Sequence, residues 1–573
     1  MKKITNLIIT CLLIIGITGC DVMNNKDLST YDADGVWSDA VLANAYIANI
    51  YYLLLGGWPV NQDGNADIGM GLLSDGAIQT TNSSFKNWPY TTVRRINILL
   101  EDIDKGTLND NVKNPIKGQA LFLRGFTYFR AVMYHGGVPY LKVVQTMDDD
   151  LMVPRNSTRE CFDLIIKDLD DAAALLPDRY SGGDFGRADK AVVLAFKAKV
   201  LLYKASPQFN PSNPYNNSYW QEAFNANRIA KETLENLGYG LIDSYDALYK
   251  TKAHKEAVLA VVFKNPGKTN GRQEAACRPL SESKNATGGD QPIWNFVAEY
   301  PMKDGKAPGE SSTYSYDVQT FWLNRDPRFD ATVVYNGCIY EISGKKGRRQ
   351  YTDIELGVPE DRMSDDATYS RSGLYTRRGI EEDLPQAEIE LNSTDWMEIR
   401  FAEVLLNYAE TANETGNTDA GYDVLKQIRH RAGIEAGSDG MYGLDAGMNR
   451  EQMRDAIMFE RKLEFPFEGK RFWDLRRTRR FDEIHGLEKF GIEARLKDEY
   501  RDASGTIINR NLDYKPEDFE YTVKSIRLTT DEKTMYVPDT YYFFPISRTE
   551  IEMNPNLQQN TGWDNGAFNP TLE

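Results

Sequence analysis

Two long blocks of this 573-residue chain place apolar residues at three- and four-residue spacing, and glycine or proline cuts each run. Phe122, Phe126, Phe129 and Met133 fall on one helical face, and Gly136-Gly137 ends that run before Pro139. Ser157 and Glu160 form a capping box ahead of Phe162, Ile165, Ile166, Leu169, Ala172, Ala173 and Leu176, which hold helical spacing up to Pro177. Helices are also predicted from about Lys190 to Tyr203, stopped before Pro207, and from about Trp220 to Leu237, ended by Gly238. The signal returns with Ile399, Ala402, Leu405, Ala409 and Ala412 up to Gly416, then over about Asp419–Arg431 and Asn449–Glu464. Amphipathic helices of this length hide their apolar stripes by pairing, so the chain reads as predominantly α, built of stacked helical hairpins. No sequence repeat of about 34 residues accompanies them, so periodicity alone does not show a tetratricopeptide array.

The region from Ile242 to Asp395 is different: rich in Gly, Asn, Asp, Tyr and Lys, with few sustained patterns. Val258 to Phe263 reads as one buried strand, and the rest as long loops with short strands. A smaller stretch of the same kind runs from Gly56 to Asn87. Ordered loops of such length usually carry function. The expected organisation is a helical body over about residues 30–240 and 396–480, a loop-rich cap over about 242–395, and an irregular C-terminal segment, 481–573.

Ahead of the body, Lys2-Lys3, an apolar run from Leu7 to Ile17, and Thr18-Gly19-Cys20 have the layout of a secretion signal. As a helix that run spans only about 16 Å, against a bilayer core of about 30 Å, which favours a cleaved signal over a membrane span. Ile17-Thr18-Gly19-Cys20 also resembles a bacterial lipobox, which makes residues 1–19 a lipoprotein signal peptide and Cys20 the acylated new N-terminus. An ordinary signal peptide with an incidental cysteine is the alternative. Acyl chains contribute about 0.8 kcal/mol per buried methylene, so a multiply acylated cysteine anchors a chain without a spanning helix.

The formal charge is −17, and loss of Lys2 and Lys3 with the signal takes it to −19. Such acidity argues against nucleic acid as a partner, because phosphate binding needs clustered Lys and Arg, and against polybasic attachment to anionic lipid. Membrane contact is therefore expected through the lipid anchor only. Without Cys11 and Cys20, the remaining Cys161, Cys277 and Cys338 allow one disulfide but no disulfide framework. Cys161, inside an apolar helical pattern, is expected to be buried. The 9 Trp and 32 Tyr are many for a chain facing water, and flat amphipathic rings suit interfaces and sugar faces.

Catalytic constellations are scarce. His135, His254, His430 and His485 are dispersed and lack metal spacing, and there is no HExxH, GxSxG or P-loop. Asp32-Ala33-Asp34-Gly35 only loosely follows a calcium loop, since its first position would be Thr30 and its twelfth Val41. No cofactor or metal is expected. The densest charged stretch runs from Glu460 to Arg477, where Glu464, Glu468 and Asp474 offer a glycosidase-like carboxylate pair. The acids alternate with Arg471, Arg476 and Arg477 amid Phe465, Phe467, Phe472 and Trp473. Arginine in an apolar setting keeps carboxylates ionised, the opposite of what a general acid needs, so the stretch reads as an ion-pair network.

That stretch, Glu460-Arg461 through Glu464, Phe467-Glu468-Gly469 and Arg471 to Arg477, resembles the signature of the SusD/RagB family of outer-membrane nutrient-binding lipoproteins of Bacteroidota. Other family-like segments follow in the expected order: Ala120 to Gly125, Tyr134 to Pro139, Gly186 to Lys190, Arg325 to Arg328, Arg400 to Glu410, then Phe544-Pro545-Ile546, Asn554 to Leu557 and Gly562-Trp563. Pro466 departs from the family's small residue and predicts a helix break there. Gln291 to Phe296 follows the family strand only loosely.

The resemblance implies tetratricopeptide-like helix pairs and a loop-rich ligand-binding face. It further implies a lid-like role over a SusC-like TonB-dependent transporter, with the protein lipid-anchored in the outer membrane and facing the cell exterior. Relatives of this kind bind glycans without cleaving them, and some bind peptides. Sugar faces stack on exposed rings while amide and charged side chains bond hydroxyls. The candidate ligand contacts are Trp58, Asn82, Phe85 and Trp88 near the first loop, and Trp294, Tyr314 and Tyr316 in the cap. Trp322, between Phe321 and Leu323, is assigned to the core, and Trp473 and Trp563 to structural signatures. The acidic balance disfavours anionic ligands, although Lys345-Lys346-Gly347-Arg348-Arg349 is a local basic run.

Overall fold

Nine long helices and one short one make up the body of the described residues, and a side chain caps the N-terminus of six of the long ones. The computed structural model describes residues 33–81, 85–366, 368–510, 513–527 and 534–573; the signal segment, Cys20 and Asn82 lie outside them. Helix α1 spans Ala40–Leu54, with the Asp39 side chain accepting from the Val41 and Leu42 amides. It is followed by α2, Tyr90–Asp102, and α3, Asp110–His135. Next come α4, Thr158–Leu175, α5, Lys190–Ala205, and α6, Tyr219–Asn236. The second block supplies α7, Phe401–Glu414, α8, Thr418–Ala432, α9, Arg450–Glu464, and the short α10, Arg471–Arg477. The Ser157–Glu160 capping box is present, and α3 ends at Gly136, whose φ of 75° suits glycine.

Helix α3 packs on α4, α5 on α6, and α7 on α8, while α7 also lies against α6 and α9. These are the helical hairpins that the periodicity predicts. The approach of α3 to the end of α4 depends on a missing side chain, since a Cβ at Gly118 would come within 2.7 Å of Leu176. One apolar core unites the helices, from Ile47 and Phe122 through Phe196 and Leu405 to Phe544.

The expected strand exists as β1, Ala257–Val261, buried throughout and paired antiparallel with β4, Trp396–Arg400. Between them, β2, Val333–Val334, and β3, Tyr375–Thr376, form a minimal second ladder. The cap has its own core, in which Trp294, Phe321, Tyr335 and Tyr521 meet Phe467 from the signature stretch. The C-terminal segment is more regular than its sequence suggests. Strands β5, Phe490–Leu496, and β6, Phe519–Ser525, run antiparallel in unbroken register and join the cap core through Ile492, Ala494 and Tyr521.

The closing Tyr541 to Ile546 returns to the body. The Phe544 amide donates to the Tyr134 carbonyl, and Arg476 Nε donates to the Tyr541 carbonyl. Arg476 meets no carboxylate among the described residues. Its other nitrogens cap the carbonyls of Met133 and Tyr134 at the end of α3, where a cation also suits the helix dipole. No helix among the described residues is long and apolar enough to cross a membrane.

Candidate functional site

Helix α3 presents Phe126, Phe129, Arg130, Met133 and Tyr134 on one face, and α5 adds Phe196, Lys199 and Tyr203. Opposite them the chain turns sharply out of α9. Pro466 lacks an N–H to continue the helix, and Phe467 and Gly469 adopt positive φ of 61° and 65°. The turn brings Lys470 and, from α10, Trp473 and Asp474 to face α3 and α5. The loop from Leu54 to Gln62 closes a third side, and together these elements enclose a cleft of about 260 Å³.

The Tyr134 and Trp473 rings lie 4.9 Å apart at a 38° tilt and supply an apolar wall. Arg130 is exposed beside them. Within the cleft, Glu403 takes Lys199 at 2.9 Å and Lys470 at 2.6 Å. Burial pushes Glu403 up, but the two ammonium groups outweigh it and hold the carboxyl below the usual range. Asp474 behaves likewise between Arg461 at 2.8 Å and Arg477 at 2.9 Å.

The carboxylates of the signature stretch form an ion-pair network, as expected, but with other partners. Arg400 reaches Glu256 at 2.6 Å, Glu464 at 2.7 Å and Glu468 at 2.8 Å. Arg431 also pairs with Glu464, and Arg378 with Glu468 at 2.8 Å. Arg328 bridges Asp326, Glu460 and Glu464. Of the three arginines expected to serve these acids, only Arg477 does so. Arg471 pairs with Asp67 and Glu483, and Arg476 caps α3. Burial would raise Glu464, yet Arg431, Arg400 and Arg328 together hold it well below a normal carboxyl. Held below the usual range, Glu460, Glu464 and Asp474 stay ionised and cannot donate a proton at neutral pH.

The loop aromatics do not gather in one place. Trp58 is half-buried, its ring 4.9 Å from Tyr249 and 5.0 Å from Trp396. Phe85 packs 4.7 Å from Phe544 and 5.7 Å from Phe472, beneath the C-terminal return. Trp88 leans on Tyr90 at 5.0 Å, near His135. Trp294 is 8% exposed and meets Phe321 edge-on in the cap core. Tyr314 donates its hydroxyl to Glu435 at 2.6 Å, and Tyr316 lies under the Arg325 guanidinium at 5.3 Å. Trp322 stacks on Tyr335, and Trp563 on Tyr541.

The basic run in the cap is neutralised: Lys345 pairs with Glu282, Lys346 with Glu341, and Arg349 with Asp513. No group of three or more His, Cys, Asp and Glu among the described residues is placed to hold a metal ion. The cleft residues Arg130 and Tyr134 had escaped the sequence reading. The available signal was a cation, Arg130, set within the apolar run Phe126, Phe129 and Met133.

Known proteins place this architecture. A sequence model of the SusD family matches residues 255–563, and a second, described as starch-binding associating with outer membrane, matches residues 35–202. A SusD-like protein of Formosa agariphila is 24% identical over 511 residues, covering 85% of this chain and 94% of its own. A SusD-like protein of Bacteroides ovatus is 23% identical, covering 82% and 79%. Among solved structures, a SusD-like protein of Bacteroides fragilis superposes with a TM-score of 0.73 at 23% identity, over 93% of this chain and 99% of that one. A laminarin-binding SusD-like protein superposes with a TM-score of 0.60 at 17% identity, over 92% and 100%. With the family match spanning more than half its length and the fold shared over 93% of it, the chain belongs to the SusD family.

Proposed function

We propose that this protein is a non-catalytic glycan-binding lipoprotein, anchored through Cys20 in the outer membrane and facing the cell exterior. It captures oligosaccharide or polysaccharide and delivers it to a SusC-like TonB-dependent transporter. The observation that carries the reading is the cleft: the Tyr134–Trp473 wall stands opposite charged side chains that already neutralise one another. Such a site offers a ring face and many hydrogen-bonding groups, and its Glu403 and Asp474 carboxyls are held below the usual range rather than poised as general acids. Membership of the SusD family supports the glycan class and the outer-membrane location. Trp58, Trp88, Tyr314 and Tyr316, each partly exposed, are proposed as additional contacts, with Asn82 beside them in sequence. Phe85 and Trp294 would act by backing those surfaces.

The test uses the chain from Asp21 onward, in native gels containing a panel of polysaccharides, with the same mixtures assayed for new reducing ends. Laminarin is the first to try. Retardation by a glycan without release of sugar supports the reading, and hydrolysis overturns its non-catalytic part. No retardation by any glycan transfers the function to peptides, or to a site completed by the transporter.

A further inference from the structure

Buried polar groups in native proteins nearly always have partners, because leaving one unpaired costs on the order of 1–3 kcal/mol. Three neighbouring side chains behind the cleft break that rule together. Trp58 Nε1, the Tyr249 hydroxyl and both ends of the Gln273 amide are buried without a hydrogen-bond partner among the described residues. Gln273 is only 1% exposed.

Gly379 shows how near they lie. A Cβ there would come within 2.5 Å of the Trp58 ring and within 3.4 Å of Gln273 Nε2. Tyr249 packs against the same indole, with ring centres 4.9 Å apart and planes tilted by 53°. Arg378 stacks over the Tyr249 ring and its charge is met by Glu468, to which Nη2 donates at 2.8 Å, while its buried Nε also has no partner among the described residues. What remains unpaired on these three side chains is neutral: one indole N–H, one hydroxyl, and an amide that both donates and accepts.

Trp58 stands in the chain between two cleft residues. Its neighbours Gly57 and Pro59 line the cleft, and so does Trp396, whose ring lies 5.0 Å from the indole. Gly56-Gly57 gives the chain before Trp58 unusual freedom, and a Cβ at Gly57 would touch nothing.

We propose that Trp58, Tyr249 and Gln273 form a polar subsite continuing the cleft, which takes one uncharged, hydroxyl-rich sugar ring once the indole turns aside. The proposal rests on the glycan reading of the cleft. A primary amide matches a pair of adjacent hydroxyls, donating to one and accepting from the other. The Tyr249 hydroxyl and indole N–H complete the set, and the indole face offers stacking.

The test compares Gln273→Leu and Tyr249→Phe with the wild type, measuring thermal midpoint and affinity for a glycan that retards the wild type, laminarin first. Each variant removes polar atoms that have no partner, so its midpoint is expected to hold or rise while affinity falls at least tenfold. Affinity within twofold of wild type in both variants overturns the subsite and leaves the glycan reading standing. A midpoint several degrees lower in both also overturns it, by showing that these groups serve the fold. A wild type that binds no glycan overturns the glycan reading, and the subsite with it. Should Gln273→Leu not fold, Tyr249→Phe, which loses a single oxygen, decides.

Discussion

Arg400 holds Glu464 twice: Nη1 meets the carboxylate at 2.7 Å and Nη2 the main-chain oxygen at 2.6 Å. The contact ties the end of β4 to the last turn of α9, joining the family-like segment that starts at Arg400 to the signature stretch. Glu464→Gln leaves Arg400, Arg431 and Arg328 short of a buried counter-charge, and loss of one partner from such a network costs about 3–5 kcal/mol. Urea unfolding should show a loss of that order. A midpoint equal to wild type would mean the surrounding carboxylates suffice. Because Glu464 is held below its unfolded pKa, its contribution is present above about pH 4 and is lost as pH falls further.

Lys489 is fully buried and donates to the carbonyls of Gly64, Gly69 and Gly71 at 2.7, 2.8 and 2.9 Å. It gathers the first loop around one ammonium group, whose pKa burial pushes down to about 7. Lys489→Met would strand three carbonyls, so destabilisation by about 3 kcal/mol or more is expected. Hydrogen exchange should quicken at the amides of residues 61–71 while those of α5 keep their protection. Uniform protection across both segments would refute the clamp.

The helices were legible in the sequence because each carries its own information. Ser157 and Glu160 cap α4, Gly136 closes α3, and the apolar stripe of α9 survives until Pro466. The β5–β6 hairpin was also written there, in the alternation of Ile492, Ala494 and Leu496 with Glu493 and Arg495, but a long connection hides its partner strand. Pairings between distant residues were not legible. Glu464 is served by Arg328, Arg400 and Arg431, which no local pattern distinguishes from nearer arginines. The cleft escaped for the same reason, since α3, α5, α10 and the Leu54–Gln62 loop meet only in three dimensions.

Cys161, Cys277 and Cys338 are free and buried. Burial pushes the Cys161 thiol up to about 12 and raises the other two, so little reactive thiolate exists at neutral pH. In the chain from Asp21 onward, a thiol reagent should label almost nothing in native buffer, and all three residues after denaturation without reductant. Fewer than three after denaturation would reveal a disulfide.

Asn61 and Asp290 clasp each other, each amide donating to the other's side-chain oxygen, at 2.7 and 2.8 Å. The clasp fastens the first loop to the cap, but with carboxylates in poor surroundings. Burial pushes Asp290 up to about 7, and burial with the charge of Asp290 does the same to Asp63, which also faces Glu468. A carboxyl whose folded pKa exceeds the unfolded value of about 4 costs stability as pH rises from there through 7. This slope opposes that of Glu464, so their combined contribution is greatest near pH 4 and declines as pH rises through 7. Asp290→Asn keeps an acceptor for the Asn61 amide and removes the charge. Its thermal midpoint should therefore exceed wild type by a few degrees at pH 8 and differ little at pH 5. An equal shift at both pH values, or a lower midpoint at pH 8, would show that the Asp290 charge does not drive this dependence.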